Sequence, residues 1–172
     1  MYVSPAELRD ALDAVELSQL STPDGRPALD KAKLNAIIAG TLASSDPDFA
    51  DATLALATIN EALDRRQSYV NGFLGGYSPI PIADADVPDL IKQIVIALVR
   101  YDLANAPTAA VTRKYTDALN DLKEIGDGTI KLPLAANSAT IEAGFAPDAE
   151  GPAPIYERSV TQRFQSPYGR FP

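Results

Sequence analysis

Apolar residues recur three and four positions apart through most of the chain up to Gly126, the spacing that lines one face of a helix. The first such run follows Ser4-Pro5-Ala6-Glu7, which supplies an N-cap, a proline at the first helical position and a capping-box glutamate. Its stripe is Leu8, Leu12 and Val15, and the helix is expected to run out near Leu17 to Leu20. The stretch STPDGRPAL from Ser21 to Leu29 is turn chemistry. Asp30 then caps a second helix, Lys31 to about Leu42, with Leu34, Ile37, Ile38 and Leu42 or Thr41 inward. SSDPD at Ser44 to Asp48 breaks it, and a third helix runs from about Phe49 to Phe73. That helix carries Ala52, Ala55, Leu56, Ile59, Ala62, Leu63, Tyr69 or Val70, and Phe73 on one stripe.

The stretch from Asp86 to Asn105 organises the rest. Asp86 is placed to cap a helix with Pro88 in its first turn. Leu90, Ile91, Ile94, Val95, Leu98, Tyr101 and Asp102 follow at helical spacing, and Val87, Ile96, Ala97, Val99 and Leu103 extend apolar character round the circumference. Only Asp89, Lys92, Gln93 and Arg100 mark a wet edge. A helix apolar nearly all round belongs inside a bundle. Its ionisable residues, Asp102 among them, would cost a few kcal/mol each at bilayer depth, so a membrane span is rejected.

Between the third helix and this one, Gly72, Gly75 and Gly76 are expected to supply positive φ at a helix end, and Pro79 and Pro81 to hold the next residues extended. Together they predict a fixed hinge, with Tyr77 free to pack or project. A last helix is expected from Ala109 to Ile125, closed by Gly126-Asp127-Gly128, and Thr129 to Leu132 alternates like a short strand. The expected fold is therefore mainly α: a bundle of about five helices over residues 1–132, with at most a small β component. Residues 133–172 turn to Ala, Pro, Gly and Ser and read as an extended C-terminal arm.

Composition narrows the chemistry. The 172 residues are 46% apolar and 22% charged, as in an ordinary globular domain. There is neither cysteine nor histidine, so thiolate metal sites, disulfides and every Ser-His or Cys-His nucleophile are excluded. A net charge of −8 opposes wrapping of nucleic acid. MYVSPAELRD shows no basic segment followed by an apolar run, so no signal peptide is expected. The carboxylate pairs Asp84/Asp86 and Asp46/Asp48 precede helices, where capping accounts for them better than acid–base work. Asp24-Gly25 and Asp30 lack the ligand spacing of a calcium loop. Asp102, in the most apolar helix, needs a partner, and Arg65, Arg66 or Arg113 is expected to provide it. Neither enzymatic activity nor a cofactor or metal is expected.

The arm is the one place where recognition chemistry is concentrated. Tyr156, Val160, Phe164, Tyr168 and Phe171 are spaced among Arg158, Arg163 and Arg170, giving a basic end to an acidic protein. Tyr, Phe and Arg are favoured anchors at protein interfaces, so these eight residues are expected to dock on a neighbouring subunit or on another protein.

MYVSPAELRDAL, TPDGRPALD, YVNGFLGGYSPIP, VPDLIKQIVIALVRYDLAN, RKYTDALNDLKEIGDGTIKLPL and an arm ending at Phe171 occur in this order. The combination resembles the head–tail connector proteins of Mu-like phages and prophages, the adaptor or head-completion subunits. The chain departs from that pattern between Asp30 and Asn60, where SSDPDF gives two helices in place of one. The resemblance implies a virion protein made in the host cytoplasm and assembled as a homo-oligomeric ring, twelve-fold by family analogy. Such a ring sits between the portal protein and a tail or stopper protein and lets DNA pass without specific binding. A stopper or tail-terminator ring is the alternative in virion assembly, and a helical regulatory binding module the alternative outside it.

Overall fold

The computed structural model describes residues 1–22, 26–77 and 79–134. Within them the chain forms six α-helices: α1 (Pro5–Leu12), α2 (Ala14–Ser21), α3 (Lys31–Ile38), α4 (Phe49–Asn71), α5 (Asp89–Leu103) and α6 (Ala109–Gly126). A single 3-10 turn, Asp84–Asp86, lies between α4 and α5, and no strand occurs among the described residues. The mainly-α expectation holds, with six helices in place of five.

The extra helix comes from one residue. Asp13 has φ 67° and ψ 143°, which ends α1 and starts α2 where a continuous helix was expected. This corner of backbone space is almost reserved for glycine, because a Cβ there crowds its own peptide. The bend lets Leu8 and Leu12 of α1 and Leu17 of α2 all enter the core, each no more than 5% exposed. Val15 of the expected stripe is left outside. We expect Asp13→Gly to stabilise the fold by about 1 kcal/mol in urea unfolding, since it removes the Cβ strain and α2 makes no side-chain cap bond through Asp13. A loss of stability would show that the bend is held by the carboxylate.

α5 is the centre. Ile91, Ile94, Val95, Leu98, Val99 and Leu103 are buried, and α1, α2, α4 and α6 all pack against it. Asp86 does not cap this helix. Pro88 holds the N-cap position with no side-chain bond, and Asp86 belongs to the 3-10 turn. Proline forces the residue before it out of helical geometry, so Val87 is extended and Asp86 cannot adjoin the helix.

α4 presents Ala52, Ala55, Ile59, Ala62, Leu63 and Val70 to the core. Three alanines in that stripe let α3 and α5 approach closely. Val70 takes the inward position and Tyr69 stays 42% exposed. α3 stops at Ile38, and Gly40 turns at φ 68°. The two helices expected between Asp30 and Asn60 are both present. The strand expected at Thr129–Leu132 does not form, because its amides bond elsewhere. Ile130 donates to the Glu124 carbonyl at 3.0 Å and Leu132 to the Tyr77 hydroxyl at 3.1 Å.

Candidate assembly surfaces

Asp102 finds its partner on α4. Arg66 donates through Nε to one carboxylate oxygen at 2.5 Å and through a second nitrogen to the other, a two-pronged pair. Arg65 stands 4.0 Å away at the edge. The Arg66 guanidinium also lies 5.7 Å from the Tyr69 ring centre and 5.8 Å from that of Tyr115. Tyr115 stacks on Tyr101 with centroids 4.0 Å apart, and Tyr69 meets Phe73 edge to face at 5.2 Å. Helical spacing alone places these groups on three different helices, and the salt bridge joins them into one polar–aromatic seam along α4, α5 and α6.

The hinge residues come next in space. Gly72 is the C-cap of α4 with φ −61°, so positive φ is not its role; positive-φ glycines among the described residues are Gly40 and Gly128. A Cβ on Gly72 would sit 3.2 Å from the Tyr69 carbonyl, while Gly75 and Gly76 face open space. The correction has a simple cause: α4 closes with 3-10 bonds from Gly72 to Tyr69 and from Phe73 to Val70, which need no left-handed residue. Pro79 is exposed, and Pro81 follows a cis peptide bond after Ile80.

Two tyrosines secure this loop. The Tyr2 hydroxyl donates to Asn71 Oδ1 at 2.5 Å and accepts from the Ile82 amide at 3.2 Å, while its own amide donates to Gln67 at 3.1 Å. Burial pushes the Tyr2 phenol above its ordinary 10.0, with the Ile82 amide working against it. Tyr77 takes the packed alternative. Its hydroxyl accepts from the Leu132 amide and faces the Ile130 carbonyl at 3.5 Å, so it fastens the chain where the arm begins.

At the opposite terminus of the sequence, the Ser4–Glu7 capping box is complete. Glu7 also accepts from Lys92 Nζ of α5 at 2.8 Å. The Lys92 hydrogen bond, with those from the Ser4 amide and hydroxyl, holds the Glu7 carboxyl down to about 2. A depressed carboxylate stabilises the fold above its ordinary value of 4.5, and that contribution fades as pH falls from there through about 2. We therefore expect the stability difference between the parent and Glu7→Gln to be present at neutral pH and to vanish by pH 2. Urea midpoints measured across that range check it; a pH-independent difference would exclude the carboxylate's charge as the cause.

A groove of about 410 Å³ opens between α1, α5 and α6. Its floor is Leu12, Leu90, Ile94 and Ala97, so the side of α5 expected to be buried is partly open here. Lys114, Asp117 and Asp121 line the α6 wall on one helical face. Arg100 at the rim is already bonded to Glu16 at 2.7 Å. Asp117 and Asp121 have no hydrogen bond or ion pair among the described residues.

The carboxylate pairs separate into structural tasks. Asp84 faces the Met1 amine at 2.7 Å, and Asp46 pairs with Lys33 and accepts from the Asp48 amide at 3.0 Å. Neither pair acts through side-chain capping: Asp48 occupies the N-cap of α4 without a cap bond. Asp30 does cap α3, accepting from Ala32 at 2.6 Å, and Asp24 and Gly25 lie outside the described residues. No group of three or more candidate metal-ligating side chains occurs among the described residues, and no described helix is long and apolar enough to cross a membrane. The arm residues Tyr156, Arg158, Val160, Arg163, Phe164, Tyr168, Arg170 and Phe171 also lie outside the described residues. The Tyr77 clamp and the α1–α5–α6 groove escaped the sequence reading; Lys114, Asp117 and Asp121 at helical spacing were the only local sign of the latter.

These features define a small helical bundle whose polar chemistry is spent on fastening helices and on an open groove. The chain matches the family described as Bacteriophage Mu, Gp36 over residues 2–148, and it belongs to that family. It is accordingly a phage structural or morphogenesis protein. No curated protein and no solved structure matches it. The matched span ends before Tyr156, so the aromatic–arginine end of the arm lies beyond it.

Proposed function

We propose that this protein is a head–tail connector subunit, an adaptor that assembles as a ring between the portal and the tail and through which DNA passes. The match to the Mu Gp36 family across residues 2–148 is the observation that carries the reading. Three physical features support it. The bundle is compact and built round α5, as a subunit repeated in a ring must be. The net charge of −8 lets an acidic lumen repel a passing duplex and keep it from sticking. Tyr77 fixes the root of an arm whose far end carries aromatic and arginine anchors. The protein acts by assembly, without catalysis, metal or cofactor, and resides in the neck of the virion.

Deleting Ile155–Pro172 should leave the helical bundle folded, with an unchanged urea midpoint, and lower the yield of joined head–tail particles at least tenfold. Wild-type yields would remove this mechanism. Mass measurement of the isolated ring and of its place in the particle separates an adaptor from a stopper or tail-terminator ring.

A further inference from the structure

Resting on the reading of the chain as a ring subunit, we propose that the groove between α1, α5 and α6 receives the Ile155–Phe171 segment of a second copy of this chain. Groove and segment match in chemistry. Leu90, Ile94 and Ala97 give an apolar floor, and Asp117 and Asp121, one turn apart on α6, offer two carboxylates without partners among the described residues. The segment brings Tyr156, Val160 and Phe164 at a spacing of four, with three arginines against one glutamate. Phe164 and Phe171 each follow an arginine, so an aromatic anchor and a cation arrive together. Lys114, one turn before Asp117, suits Glu157 upstream in the segment, while Asp117 and Asp121 suit Arg163 downstream. Arg100 adds little repulsion because Glu16 already neutralises it.

The connecting chain is long enough to reach a neighbouring subunit, and a ring places a second copy beside each groove. Gly126, at the end of α6, lines a pocket with Leu134, the last described residue. Asp121 lies one and a half turns back along the helix, about 8 Å. About 20 residues separate Leu134 from Ile155, and a chain of that length can reach about 25 Å.

The absence of cysteine makes the test clean. Lys114→Cys and a tagged Glu157→Cys are prepared as separate full-length chains, mixed and oxidised, so that a disulfide between the two forms only between copies. We expect this mixed dimer as the main product, reduced at least fivefold when Asp117→Lys and Asp121→Lys are added to the groove partner, and recovered when Arg163→Glu and Arg170→Glu are added to the arm partner. Absence of the mixed dimer overturns the inference. So does a double variant, Lys114→Cys with Glu157→Cys in one chain, that closes only on itself. If the mixed dimer is absent while deletion of Ile155–Pro172 still blocks head–tail joining, the arm binds another virion protein; the inference then fails and the connector reading stands.

Discussion

Leu98→Ala will lower the unfolding free energy by about 2–5 kcal/mol, the largest single loss expected in this protein. Leu98 has no exposed surface and lies midway along α5, which four other helices touch. Truncation removes the transfer energy of the lost carbons and leaves a cavity that rigid helices on several sides cannot all move to fill. Urea unfolding followed by circular dichroism measures it directly. A loss below about 1 kcal/mol would mean that α5 is replaceable and that the bundle is centred elsewhere. Ala97→Ser, on the groove side of the same helix, is the control and should cost little, because the hydroxyl can reach water.

Asp102→Ala should come second, with a loss of about 2–4 kcal/mol, and the mechanism is different. The Arg66 and Asp102 side chains are only 16% and 11% exposed, so removing the carboxylate strands a guanidinium against the Tyr69 and Tyr115 rings with its hydrogen bonds unmade. Arg66 can swing toward water, which keeps the loss below that of a fully buried pair. The double replacement Arg66→Met with Asp102→Leu should recover most of it, since an apolar pair of similar bulk needs no partner. If the double variant were as unstable as the single one, the seam would depend on shape and not on the unpaired charge.

How much of this was legible in the sequence follows from how local each determinant is. The inward stripes of α4 and α5, the extent of α6, the Ser4 and Asp30 caps and the break at SSDPD depend on residues within a few positions of each other, and all are present. The need of Asp102 for an arginine was also legible, because a charge in an apolar helix has few alternatives. The bend at Asp13 was not, since an aspartate in a helical pattern gives no sign that packing of Leu12 and Leu17 will force it into a glycine-like conformation. The start of α5 was misplaced for a related reason: Asp before Val-Pro resembles a cap, yet proline's steric demand on Val87 separates them. Tyr77 and Tyr2 act through hydroxyls on partners more than fifty residues away, which no periodicity encodes. The groove arises only when three helices have been packed, and the arm's anchors remain legible solely as composition.

The tie made by Tyr2 also sets an order of events in synthesis. Its three partners, Gln67, Asn71 and Ile82, stand 65, 69 and 80 residues further along the chain. As the polypeptide leaves the ribosome, the segment ahead of α1 must wait until α4 and the loop beyond it have emerged before it has anything to hold. Closing a loop of that length costs entropy that only the late core contacts repay, so the segment ahead of α1 emerges well before it can settle.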